Sequence, residues 1–268
     1  MSSIHTGQDY DFQVISINHV AKSKPNPEWR YDKANPGPNY VLAYCMDGEA
    51  FYYFDGRMHV VEKGDVLFFP KESLRTARSN PDNPWTYYTI SFDLGFGDET
   101  SQAYLNSIEW ILRHHNLAML QPQFSELYHV WTGKRSGYRV RCKGLLMEIL
   151  YRMLKERDRS RFNSVQYQAI EKTISLIQSD YTRSYSIEEL ARHAKLSPSH
   201  FRLLFKQITG MTSVQYHNYI RIHKAKDLLL SGECNVTEAA LQVGFQDIFY
   251  FSRLFKKTLG LNPSTLIE

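Results

Sequence analysis

Cysteine is scarce in this chain: three in 268 residues, Cys45, Cys142 and Cys234, far apart and with no CxxC pair. An odd number of scattered thiols builds neither a disulfide framework nor a thiolate zinc site, and it suits a reducing compartment. No stretch approaches the roughly 20 apolar residues that span a bilayer, and the first ten residues lack a basic start followed by an apolar run. The expectation is a soluble, unexported, cytoplasmic protein with no membrane partner. Histidine is too dispersed for a metal cupin: His59 stands alone between His19 and His114, no HxH occurs, and the neighbours His114 and His115 point to different sides of a helix. GxSxG, Walker A and GxGxxG motifs are missing, so hydrolase, nucleotide and dinucleotide chemistry have no support. No enzyme activity, metal or cofactor is expected.

What is present divides in two. Residues 159–268 hold 14 Lys plus Arg against 9 Asp plus Glu, whereas residues 1–158 hold 18 against 19. The surplus positive charge of this net +4 chain is therefore C-terminal, where it would attract a polyanion. From about Val14 to Asp93 the texture is short β-like runs, among them residues 40–46, 50–54, 59–61, 66–69 and 85–92, with Asp55-Gly56 and Gly64-Asp65 as turns. Closely spaced strands of this kind predict an antiparallel sandwich or small barrel. Helices follow, including Ala103 to Leu117 and Gly137 to Lys155, the second with an apolar stripe of Val140, Leu145, Ile149 and Met153. Lys155 to Arg161 reads as a charged, solvated linker. The expected organisation is an α+β chain: a β domain over 1–97, a helical segment over 98–158, a linker and helix entry over 159–170, and an all-α domain over 171–268.

That last part contains a self-match. The run Leu204 to Met211 returns fifty residues later as Leu254 to Leu261, and Glu189-Leu190-Ala191 returns as Glu238-Ala239-Ala240 at an offset of 49. Two copies of one helix, tight turn, helix unit explain it. In the first copy Ser186 and Glu189 predict a capping box, Ser197 and Pro198 open the trailing helix, and Gly210 ends it; in the second, Thr237, Asp247 and Gly260 can take these three places. At 100° per residue Phe201, Leu204 and Phe205 share one face of the trailing helix, opposite Ser199, Arg202, Leu203 and Lys206. Phe251, Leu254 and Phe255 repeat the inner face, and Phe249, Ser252, Arg253 and Lys256 the outer one. A helix-turn-helix needs this partition, with one stripe buried and short polar or cationic side chains offered to a major groove about 12 Å wide. The connecting segment, Ser213 to Leu230, predicts a helix of about 27 Å, which suits recognition helices roughly one DNA turn apart. The alternative is a duplicated helical bundle with solvated cations; the joint recurrence of caps, turn, core stripe and basic face favours DNA.

The residues from about Ser186 to Ile267 resemble the DNA-binding domain of the AraC/XylS family of transcriptional regulators. The resemblance rests on Arg221 and Ala225, Val243-Gly244-Phe245, Tyr250 to Lys257, and Gly260 with Asn262-Pro263-Ser264. It implies base-facing roles for Ser199, Arg202 and Leu203 in the first unit and for Ile248, Phe249, Tyr250 and Arg253 in the second. The full expected DNA-binding set adds Ser197, His200, Lys206, Asp247, Lys256 and Lys257. Lys195 departs from the family, which usually has glycine there; a left-handed residue at that point costs about 1–2 kcal/mol.

The strand pattern is similar to the cupin-like effector domain of sugar-responsive members. This likeness implies a small-molecule effector such as a sugar, a homodimer paired through a helix, for which Tyr138 to Lys155 is the candidate, and activation of carbohydrate-utilisation genes at promoter half-sites together with RNA polymerase. Aromatic and planar cationic side chains suit a carbohydrate, and Trp29, Arg30, Tyr44, Arg75, Trp85 and Tyr87 are the expected ligand lining. Arg75 stands where related domains often have histidine. Two other readings remain: a DNA-binding adaptor whose N-terminal domain holds a protein, and a metal cupin enzyme.

Overall fold

The computed structural model describes residues 10–32, 37–113, 115–160, 162 and 164–267, in two compact units split between Ser160 and Arg161. The reading of the first nine residues, His114 and Arg161 lies outside the described residues.

The N-terminal unit is built on two antiparallel sheets. One has the order β1 (Phe12–Lys22), β8 (Thr86–Phe96), β3 (Tyr40–Asp47), β6 (Val66–Phe69) and β9 (Ile111–Leu112); the other has β2 (Arg30–Asp32), β7 (Thr76–Ser79), β4 (Ala50–Phe54) and β5 (Arg57–Val61). Asp55 and Gly56, both at positive φ, make the two-residue turn that joins β4 to β5. Strands β3 and β6 lack polar alternation because both of their faces are covered. Leu42, Tyr44, Val66 and Phe68 point into a core shared with α3 (Gln121–Gly133) and α4 (Tyr138–Ser160). Ala43, Cys45, Leu67 and Phe69 point the other way, onto Ala50, Tyr52, Val61 and Ala77 of the second sheet.

Several expectations for residues 98–161 are corrected. Helix α1 spans only Glu99–Asn106, capped by Asp98, and the chain then gives the free edge of β6 a partner: Val66 pairs with Leu112 and Leu67 with Ile111. Edge pairing thus overrides the helical pattern read across 103–117, and only His115–Ala118 (α2) returns to helix. Lys155 to Ser160 are the last turns of α4 rather than linker. Lys, Glu and Arg are good helix formers, and Arg157 is tied to the carbonyls of Tyr104 and Ser107 at 3.1 and 3.2 Å. Val140 is 77% exposed, since it lies about 140° around the helix from Leu145. The buried stripe is Cys142, Leu145, Leu146, Ile149, Leu150, Met153 and Leu154, and it packs within its own unit.

The C-terminal unit is helical: α5 (Ser164–Ser179), α6 (Ile187–His193), α7 (Pro198–Thr209), α8 (Ser213–Leu230), α9 (Val236–Gln242), α10 (Ile248–Leu259) and a 3-10 turn at Pro263–Leu266. Helix α5 starts at Ser164, within the 159–170 stretch expected as linker and helix entry, and places Ile170 and Ile177 in the first core with Leu190, Phe201, Leu204 and Phe205. A second core gathers Ile222, Ala225, Leu229, Ala239, Ala240, Val243, Phe245, Phe251 and Phe255. Among the described residues no helix is long and apolar enough to cross a membrane.

Candidate nucleic-acid interface and ligand site

Each unit starts from a cap. Ser186 accepts from the Glu189 N–H at 3.1 Å, but the return half of the expected box is missing because the Glu189 carboxylate turns to Arg183. In the second unit the box is complete and belongs to Asn235 and Glu238; Thr237, the expected cap, lies inside α9. The offset of 49 carries Ser186 to position 235, so the repeat itself held that signal.

The trailing helices α7 and α10 open on Ser197, which accepts from His200 N at 3.4 Å, and on Asp247, which accepts from Tyr250 N at 2.9 Å. Both end on left-handed glycines, Gly210 and Gly260, whose N–H groups bond Lys206 and Lys256. Phe201, Phe205, Phe251 and Phe255 are wholly buried. On the other side of α7, Ser199, His200, Arg202, Leu203 and Lys206 are exposed; on α10 so are Phe249, Tyr250, Arg253, Lys256 and Lys257, with Ile248 half-buried. Two apolar side chains stand out there, Leu203 at 58% and Phe249 at 84% exposure. None of Arg202, Lys206, Arg253, Lys256 and Lys257 pairs with a carboxylate among the described residues. The Tyr250 hydroxyl accepts from Asn218 of α8 at 3.2 Å, which fixes that ring.

A buried hub joins the two helix-turn-helix halves of the C-terminal unit, and sequence reasoning gave it no role. Arg221 of α8 donates from Nε to the Tyr181 carbonyl at 2.6 Å and from Nη2 to that of Thr182 at 2.7 Å, while His217 Nε2 donates to Tyr181 at 2.6 Å. The turn of the second unit rests on this hub: a Cβ on Gly244 would lie 2.5 Å from the Thr182 carbonyl oxygen and 3.0 Å from Arg221 Nη2. The signal was available. Ser213, His217, Arg221, Ala225 and Leu229 recur every four residues along one buried stripe, and two of them are polar rings or cations that cannot be buried without partners. Burial disfavours the charge of both Arg221 and His217.

In the N-terminal unit the six expected ligand residues divide. Trp29, Trp85 and Tyr87 meet between the sheets: Trp85 stacks on Tyr87 at 4.0 Å and meets Trp29 edge-on at 4.9 Å. Tyr52 joins them, 5.8 Å from Trp85 and 5.5 Å from Phe69. Arg75 is buried, with its guanidinium 3.7 Å from the centre of the Phe69 ring. Tyr44 does not belong to this group: the β3 alternation turns it outward, where it stacks on Phe124 and its hydroxyl donates to the Ala118 carbonyl at 2.7 Å. Arg30 is exposed on β2. A cavity of about 70 Å3 opens beside Arg75, lined also by Tyr31, Asn39, Val41, Ser73 and Ser91. A larger groove of about 600 Å3, between β1 and the start of α4, holds none of the six expected residues. No cluster of three potential metal ligands occurs among the described residues.

Two family profiles match the chain, one described as a helix-turn-helix domain over residues 190–268 and one as an AraC-like ligand binding domain over residues 16–150. The chain is similar to the raffinose operon transcriptional regulatory protein RafR of Pediococcus pentosaceus, 26% identical over 243 residues that cover 89% of this chain and 88% of that protein. It is 28% identical to the MmsAB operon regulatory protein of Pseudomonas aeruginosa, covering 95% and 82% respectively. With the arabinose operon regulatory protein of Escherichia coli it shares 26% identity, over 84% of this chain and 79% of the other.

Proposed function

As the chain belongs to the AraC family of transcriptional regulators, we propose that it binds a bipartite promoter site through α7 and α10 and alters transcription in response to a small molecule held by its N-terminal unit. The carrying observation is the repeated outward face of the two trailing helices, whose cations pair with no carboxylate among the described residues. Arg202 and Arg253 fork onto bases; Ser199, Leu203, Phe249 and Tyr250 read edges or methyl groups. Lys206, Lys256 and Lys257 hold the duplex backbone, while the helix-start residues Ser197, His200, Asp247 and Ile248 line its groove, Asp247 through the helix end it caps. The 18 residues of α8 span about 27 Å, in keeping with half-sites roughly one turn, about 34 Å, apart.

The effector is a sugar or related metabolite, lodged at the aromatic cluster of Trp29, Trp85 and Tyr87 beside Arg75. The names of the raffinose and arabinose operon regulators support that class. The protein acts in the cytoplasm as an activator contacting RNA polymerase, without catalysis. Its homodimer pairs through the exposed side of α4, which carries Val140, Gly144 and Tyr151. Effector binding shifts how two copies engage adjacent half-sites.

Selection of bound duplexes from random DNA by the full-length protein, with and without a panel of sugars, tests this. An enriched two-part motif whose halves lie one turn apart is expected, changed by at least one sugar. A motif unaffected by every small molecule favours the protein-binding adaptor, and no enrichment removes the DNA reading.

A further inference from the structure

Resting on the reading of the N-terminal unit as the sensor, we propose that its effector carries a carboxylate, taken by the unused edge of Arg75 at the mouth between the two sheets. Arg75 is only 8% exposed. Its Nη1 donates to the Ser73 hydroxyl at 2.7 Å and to the Ser73 carbonyl at 3.3 Å, and the rings of Phe69 and Tyr31 lie 3.7 and 4.9 Å from its central carbon. Among the described residues no carboxylate pairs with it, and its side-chain hydrogen bonds leave from Nη1 alone, so that the Nε–Nη2 edge is open and not sealed in the core. A buried cation is costly without a counter-charge, and two aromatic faces offset only part of that cost.

What is left over has a shape. The Nε–Nη2 edge of a guanidinium is a planar fork that matches the two oxygens of a carboxylate, where a single neutral hydroxyl engages it incompletely. The adjoining open cavity, about 70 Å3, has room for a carboxylate beside the guanidinium. The remainder of the ligand then meets the polar groups that line the same cavity, Asn39, Ser73 and Ser91. An acid whose body bears hydroxyls suits the arginine and this polar lining together: an aldonic or uronic acid is the class.

The test is thermal unfolding and calorimetric titration of the full-length protein at fixed ionic strength. Galacturonate and glucuronate are compared with galactose and glucose, and acetate with inorganic phosphate. The acids are expected to bind saturably and their neutral counterparts at least about tenfold more weakly, the worth of one charge-assisted hydrogen bond. Arg75→Lys keeps the charge and loses the fork, and should weaken the acids by a similar factor. Arg75→Met, without ligand, should melt at the wild-type temperature or above it, since it removes an unpaired buried charge. Failure of every carboxylate to bind overturns the proposal, as does a neutral sugar or phosphate binding as well as the acids; Arg75→Met melting far below wild type marks the arginine as structural and does the same. DNA selection run on the same preparation separates these failures from failure of the regulator reading: an enriched motif that responds to a neutral sugar leaves the sensor standing and removes only its carboxylate.

Discussion

At one point of the turn the first helix-turn-helix unit carries Lys195 and the second carries Gly244, both at positive φ, 54° and 89°. The same backbone conformation thus has two different reasons behind it. Lys195 is exposed, so only its own left-handed geometry resists a side chain. At Gly244 the Thr182 carbonyl and Arg221 occupy the space a Cβ would need. The second turn is built into the hub that holds the two units together, and the first is not. The two copies share one plan, and the interior position of one adds a steric demand for glycine that the other lacks.

The sharpest way to break this comparison is to exchange the residue types. Gly244→Ala is expected to destabilise by about 3 kcal/mol, of which the left-handed backbone contributes about 1–2 and the overlap with Thr182 the remainder. Lys195→Gly is expected to stabilise by no more than about 1 kcal/mol, since relief of the left-handed strain is partly offset by glycine's greater freedom when unfolded. Urea denaturation of the full-length protein, followed by far-ultraviolet circular dichroism, measures both. Equal costs at the two sites would show that the hub does not set the second turn apart.

The outward faces differ as well. Aligned at the fifty-residue offset, Arg202 stands opposite Ser252 and Arg253 opposite Leu203, so the second arginine sits one position later along its helix. The two half-sites are therefore expected to differ in sequence. Arg202→Ala and Arg253→Ala should each cost about 1–3 kcal/mol of DNA affinity and relax one position, each in its own half. Binding-site selection with the variants decides it: uniform weakening across all sequences would make the arginine a phosphate contact instead.

Phe249 offers a smaller test of the same asymmetry, because Ser199 occupies its place in the first unit. An aromatic ring left 84% exposed contributes little to folding. Phe249→Ser should leave stability within about 0.5 kcal/mol. It should lower affinity by about 1 kcal/mol through loss of apolar contact with a thymine methyl group. An unchanged preference in the second half-site would place Phe249 away from the bases.

These differences were unequally legible in the sequence. The repeat, the trailing-helix partition and the bounds of α8 followed from spacing alone, because caps and apolar stripes are local. The second cap was misplaced at Thr237, although the offset pointed to Asn235, because threonine and asparagine both cap well and only the geometry shows which side chain meets the Glu238 N–H. Glu189 left its box for an ion pair with Arg183, a partner that local spacing does not rank against the cap. In the N-terminal unit, β9 could not be read because two residues acquire strand geometry only from the edge of β6. Tyr44 was placed in the ligand lining for a related reason: β3 and β6 are apolar on both faces, so composition does not say which side looks into the barrel.

The hub also predicts the weakest effect, a pH dependence that belongs to neither recognition helix. Burial holds His217 below its ordinary value of 6.5, and the neighbouring Arg221 adds to this while the hydrogen bond to the Tyr181 carbonyl opposes it. The unfolded chain therefore takes up the proton first as pH falls through about 6.5, so stability contributed by the neutral ring is full above that value and is lost on acidification towards the lower folded value. Between pH 7 and pH 6 the loss amounts to at most about 0.7 kcal/mol. His217→Gln retains an N–H for Tyr181 and removes the titration, so its urea midpoint should vary less with pH than that of the wild type. An equally steep dependence in the variant would move the acid sensitivity to another group, with His223 the first to test, since burial lowers it too.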